Sequence, residues 1–114
     1  VAATIAEILR ATLATLTEGR WGKGHLWWPH SAAEPCCLAG HIYAATGRVE
    51  WLAKDAIAAV HRALDLPAIV AISSWQDRPD RTLADVRASV QRAIDTEEAR
   101  DAIDDQRRCP GRGT

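Results

Sequence analysis

Phenylalanine, methionine and asparagine are absent from this chain of 114 residues. Without phenylalanine, tryptophan has to serve as the large core filler, and the chain holds five tryptophans beside one tyrosine. Neither sign of charge is in excess, since fourteen Lys and Arg face fifteen Asp and Glu for a formal net charge of -1. That balance gives no electrostatic footprint for a phosphate backbone or an anionic lipid surface, so neither nucleic acid nor membrane is expected as a partner. Long hydrophobic runs are missing too. The first residues carry Glu7 and Arg10 among apolar neighbours, so neither a signal peptide nor a transmembrane helix is expected there.

Cysteine is scarce and odd in number: Cys36, Cys37 and Cys109. The adjacent pair cannot form an ordinary structural bridge, and free thiols in a reducing compartment, the cytoplasm, are the simplest expectation. Twelve of the fourteen cations are arginine, a bias that suits GC-rich coding and says nothing about function. What remains is an ordinary globular composition, 47% hydrophobic and 25% charged. A chain of this length can bury roughly two-thirds of its unfolded surface without metal or disulfide staples.

The hydrophobic periodicity predicts an all-α fold, a compact single-domain bundle of four to five helices over residues 1–108 with a tail over 109–114. Thr4 and Glu7 form a capping box ahead of Ile5, Ile8, Leu9, Leu13 and Leu16, which share one face. This first helix is expected at about residues 5–18, closed by Gly19. Periodicity then vanishes from Arg20 to Pro35, a long loop holding Trp21, Trp27 and Trp28. A second helix is expected from Pro35, whose missing amide suits the first helical position, to about residue 46, where Gly47 stops it. A third is expected over about 49–64, turning Leu52, Ala56, Ala59, Val60 and Ala63 inward and Lys54, Asp55 and Arg62 outward.

Pro67 ends that helix. The apolar run Ala68 to Ile72 is read as a short helical segment leading to Trp75, because a lone strand would lack a ladder partner. Thr82 and Asp85 resemble a second capping box, with Asp where Glu or Gln is usual. Leu83, Val86, Val90, Ala93 and Ile94 supply the inward face of the helix that follows. Past Asp95 the charged run continues as a helical extension with one weakly buried edge.

Chemistry has few candidate locations. Cys36 and Cys37 would lie in the first turn of the second helix, where unpaired amides can depress a thiol pKa. His41, four residues after Cys37, falls on the same face and could act as its base. No acid or amide is placed to orient that histidine, and a small buried hydrophobe beside a core histidine is the plainer role. Cys37 and His41 are also candidate zinc ligands, joined by His25, His30 or Cys109. Structural zinc sites announce themselves as two close pairs, and only one pair here has a recognisable spacing. No cofactor is expected.

Arg78 and Arg81 are candidates for holding an anion at the start of the last long helix, or for pairing with Asp77 and Asp80. Asp77, Asp80, Asp85 and Glu34 form no pair facing across a cleft, and local backbone capping suits them better. In the tryptophan loop, Trp21 and one of Trp27 and Trp28 can fold down as a lid. The alternative leaves at least one exposed as a binding anchor, since Trp is enriched at interface hot spots.

The order of these motifs resembles a family of small bacterial and phage proteins, DUF6197. The likeness is carried by Cys37, Leu38, Ala39, Gly40 in a helix, and by Trp75, Gln76, Asp77 followed by Arg81 and Thr82. It spans most of residues 4–95 and implies a compact helical domain with no established activity. Gln76 stands where the family usually has Asn, and Cys36 and His41 are outside its pattern. Together these features predict a non-enzymatic binding or adaptor module whose partner is another protein. A thiol enzyme or redox protein, and a zinc domain, are the alternatives.

Overall fold

The computed structural model describes residues 4–22, 37–47 and 49–108. Among them run five helices and no strand: α1 Ile5–Thr15, α2 Leu38–Ala45, α3 Glu50–Ala63, α4 Ile72–Gln76 and α5 Leu83–Arg108. The all-α expectation holds. The run Ala68 to Ile72 forms no strand, but it is helical only at Ile72: residues 68–71 make a turn after Pro67, with the Val70 amide donating to Pro67 O at 2.9 Å, and α4 starts at Ile72.

The long helix α5 is the element against which α1 and α3 pack. It runs antiparallel to α1, because Arg10 in α1 meets Glu98 while Arg87 reaches Leu13 and Leu16 at the other end. Its inward face is Val86, Val90, Ala93 and Ile94, all fully or almost fully buried. These meet Ile8, Leu9 and Leu16 of the α1 region, Leu38 and Ile42 of α2, and Ala53, Ala56, Ala59, Val60 and Ala63 of α3. The alanine face of α3 lets backbones approach closely, as the sequence pattern predicts. Trp75 closes the core where α4 meets it, 9% exposed.

The helix ends follow local chemistry. Thr4 accepts the Glu7 amide at 3.1 Å, and its hydroxyl donates to the Glu7 carboxylate at 3.1 Å. The second box forms with its shorter acid: the Asp85 amide donates to Thr82 Oγ1 at 3.2 Å, and the Thr82 amide donates to Asp85 Oδ2 at 3.0 Å. Gly47, with φ +69°, takes the left-handed conformation after α2. α3 closes without glycine. Asp65 adopts φ +53°, its amide donates to Arg62 O at 3.0 Å and that of Leu66 to His61 O at 3.5 Å, a Schellman arrangement with Asp in the left-handed position.

Two boundaries differ from the sequence expectation. α1 ends at Thr15, three residues before the expected end. The Thr17 amide, which would extend the helix by donating to Leu13, donates to Thr15 O at 2.9 Å, and the Leu13 carbonyl is taken by the Arg87 guanidinium at 2.9 Å. Gly19, φ +83°, sits in the turn beyond. α2 begins at Leu38 rather than Pro35, with Cys37 as its N-cap residue. The Leu38 amide is satisfied from outside the helix by Gln76 Oε1 at 2.9 Å, so no earlier turn is needed to use it.

Candidate functional site

Gln76, at the end of α4, is 1% exposed and joins three parts of the chain. Its side-chain carbonyl accepts the Leu38 amide at 2.9 Å and the Trp21 indole N–H at 2.8 Å. Its amide nitrogen donates to Asp77 Oδ1 at 2.8 Å. A buried side-chain amide with both ends engaged fixes its surroundings, since leaving any partner unpaired would cost the full desolvation of that group. Gln76 thus sets where α2 begins, and it holds the indole of Trp21 against the core.

Beside it lies the Cys37 and His41 pair. Cys37 is buried and unbridged. Burial pushes its thiol up from the ordinary value; the amides of Gly40 and Ala39 pull the other way, and the Asp77 carboxylate adds to the rise. The helix-start effect is therefore present but outweighed, and the thiol form is favoured over the thiolate. His41 is 4% exposed. Its Nε2 lies 2.7 Å from the Arg20 carbonyl and its Nδ1 2.8 Å from Thr15 Oγ1. Burial holds its pKa below the ordinary value, with the Arg20 carbonyl opposing and the Arg20 charge reinforcing that direction. Cys37 and His41 meet through the backbone, where the His41 amide donates to Cys37 O at 3.1 Å, while both ring nitrogens face Thr15 and Arg20.

The two arginines behave differently from each other. Arg81 turns inward: its Nε donates to the Trp75 carbonyl at 3.1 Å, and its guanidinium carbon lies 4.0 Å from the Trp75 ring centroid. Such a cation–π contact is worth about 0.5–1 kcal/mol at an exposed site and more when desolvated. Arg78 is exposed in the turn before α5. The amides at the head of α5 are partly occupied by the Thr82 and Asp85 box, whose carboxylate sits where an external anion would.

Trp21 is half-buried and packs on the core, which suits a lid more than an anchor. Cys36, His25, His30, Trp27, Trp28 and Cys109 lie outside the described residues. Among the described residues no three of His, Cys, Asp and Glu are grouped as a metal set requires. One further feature is an open groove of about 350 Å³ between α1 and α5, lined by Arg10, Leu13, Ala14, Arg87, Gln91 and Ile94.

With the Trp75, Gln76, Asp77 turn seen clasping the Leu38 amide at the start of α2, the two signature segments prove to be one structural unit. The match to a family pattern covers residues 1–96. The chain belongs to DUF6197, a family of unknown function. No curated protein and no solved structure matches the chain. The DUF6197 match stops within α5, and the helix runs on to Arg108. Glu97, the next residue, is 6% exposed and pairs with Arg62 at 3.1 Å and Arg100 at 3.4 Å, so the continuation begins as packed structure. From Glu98 to Arg107 every residue is exposed.

Sequence reasoning missed Gln76, Arg87 and Glu97. Gln76 stood in a quoted motif but only as a departure from Asn; its longer side chain is what spans from α4 to both Leu38 and Trp21. Glu97 sits in the charged run past Asp95 that reads as solvated surface, and Arg87 lies off the inward stripe of its helix. No local pattern marks an arginine that will serve the end of another helix.

Proposed function

We propose that the chain is a non-enzymatic binding module that acts through contact with another protein. The observation that carries the reading is Trp51, which stands in the first turn of α3 with 63% of its surface exposed. The inward side of α3 is already filled by alanines and Val60, so the Trp51 ring has no role in the core. Tryptophan is enriched among the few residues that dominate protein–protein affinity, because it offers a large apolar face at low entropic cost. Trp51 thus joins Trp27 and Trp28 as a candidate anchor, while Trp21 is tied down by Gln76.

The use of the chemically competent groups supports the same reading. Cys37 is buried with its thiol form favoured, His41 has both nitrogens engaged, and Arg81 is committed to Trp75. The near-neutral charge supports a protein partner over nucleic acid. Among the described residues no helix is long and apolar enough to cross a membrane. In this reading residues 1–108 work as one domain in the cytoplasm.

The test is in-cell cross-linking from a photoreactive residue at position 51, with the same residue at exposed Glu7 as control. A discrete adduct with one protein at position 51, missing at position 7, is expected. Trp51→Ala should then abolish binding of that purified protein. No adduct at position 51, or identical adducts at both positions, overturns the proposal.

A further inference from the structure

The hydrogen-bond geometry around His41 contains more acceptors than a single proton arrangement can use. Nε2 faces a carbonyl, that of Arg20 at 2.7 Å, so this nitrogen carries a hydrogen in any charge state. Nδ1 faces the Thr15 hydroxyl at 2.8 Å. That hydroxyl in turn lies 3.0 Å from a second acceptor, the Thr12 carbonyl. With one hydroxyl hydrogen and two acceptors for it, the heavy-atom positions satisfy two proton arrangements equally.

We propose that His41, Thr15 and the Arg20 carbonyl form a proton-operated latch joining the end of α1, the turn that carries Trp21, and α2. In the neutral state Nε2–H donates to Arg20 O, and the Thr15 hydroxyl donates to the lone pair on Nδ1. In the protonated state Nδ1–H donates to Thr15 Oγ1, and the Thr15 hydrogen rotates to the Thr12 carbonyl. One proton enters from solvent, one hydroxyl rotates, and no heavy atom has to move. The ring keeps all its hydrogen bonds but gains a charge in a site 4% exposed.

The surroundings decide what that charge does. From the turn after α1, Arg20 brings a like charge to bear on the ring. α1 contributes the neutral Thr12 and Thr15, and α2 itself contributes Cys37, one turn earlier, whose thiol burial keeps neutral. None of these supplies a compensating anion. The bond to the Arg20 carbonyl strengthens with the charge, but burying a cation beside Arg20 costs more than that bond gains. Charging His41 therefore favours release of the Arg20 and Trp21 turn against its remaining contacts, among them the indole bond to Gln76 and the packing of Trp21 on the core. The acid form is a loosened state of that turn reached without breaking the core, a switch of the kind histidine is suited to.

The experiment is long-range proton–nitrogen NMR of the full chain between pH 4.5 and 8, following the His41 ring and the Trp21 indole N–H, the latter assigned with Trp21→Phe. The wild type should show the Nε2–H tautomer above its midpoint and one titration below the ordinary histidine value. The Trp21 resonance should move with the same midpoint. Thr15→Val removes both the donor to the neutral ring and the acceptor for the charged one. The second loss is the larger, because a charge-assisted bond is the stronger, so the midpoint should fall by about half a pH unit or more. Thr15→Ser should restore it. An Nδ1–H tautomer in the wild type, or a Trp21 resonance that ignores the His41 titration, overturns the proposal. So does a Thr15→Val midpoint equal to wild type. Should Thr15→Val fail to fold, the wild-type tautomer, the shared midpoint and the Thr15→Ser variant still decide the question.

Discussion

The Gln76 side chain accepts the Trp21 indole N–H at 2.8 Å across a separation of 55 residues, and the same oxygen accepts the Leu38 amide that opens α2. One carbonyl oxygen thereby fixes both sides of the segment between the α1 turn and α2. Gln76→Met keeps most of the volume and removes the acceptor, leaving a buried backbone donor and a half-buried indole donor unpaired. A loss of about 2–4 kcal/mol is expected, on the basis of about 1–3 per stranded group. Urea denaturation measures it. If Gln76→Met were as stable as wild type, the bonds would be incidental to the packing of α4.

The contrast between Gln76 and the helices shows what the sequence makes legible. The stripes of α1, α3 and α5 could be read directly, because burial of one helix face leaves a local period of three and four. Both capping boxes were legible for the same reason: donor and acceptor lie three residues apart. The early end of α1 was not, since it depends on Arg87, more than seventy residues downstream. The late start of α2 depends likewise on Gln76. For the candidate site, Cys37 and His41 were visible as residue types at helical spacing. Their use inside the fold was set by Thr15 and the Arg20 carbonyl, which no spacing rule links to them.

Arg87 and Arg10 line the same groove and should behave differently when removed. Arg87 Nη1 donates to the Leu13 and Leu16 carbonyls at the end of α1, where Leu13 O also accepts the Leu16 amide at 3.3 Å, and its charge suits the negative pole of that helix. Arg87→Met should cost about 1–3 kcal/mol, the range for a charged hydrogen bond. Arg10 pairs with Glu98, both about half exposed, and Arg10→Met should cost less than about 1 kcal/mol. Thermal melts of the two variants side by side test the ordering; equal shifts would show that Arg87 does not act as a cap.

Stability should fall at both ends of the pH range, for two different buried groups. His41 has its folded pKa below the ordinary 6.5, so the folded state binds its proton less readily than the unfolded chain. Its share of stability is present above 6.5 and is lost as pH falls through the folded value. Cys37 is shifted the other way, above the ordinary 9.0. Its share is present below 9.0 and is lost as pH rises through the folded value. Urea midpoints across the range should therefore show an acid slope reduced in His41→Gln and an alkaline slope reduced in Cys37→Ala. Alkylation of Cys37 at neutral pH should be slow until denaturant is added. Rapid labelling at Cys37 itself in the native chain, located by peptide mapping, would reinstate an activated thiol.

Trp51 and Trp75 separate binding from architecture. Trp75 is 9% exposed, lies under the Arg81 guanidinium and closes the core at α4, so Trp75→Ala should cost about 3–5 kcal/mol. Trp51 is 63% exposed, and its ring has little packing to lose; Trp51→Ser should change stability by no more than about 0.5 kcal/mol. Calorimetry of both variants distinguishes the roles. A large loss with Trp51→Ser would mean that the ring supports the fold, and the case for α3 as the contact surface would go with it. An unchanged melt, with Trp75→Ala strongly destabilised, would free Trp51 of an architectural role and leave the contact role to be decided by cross-linking from position 51.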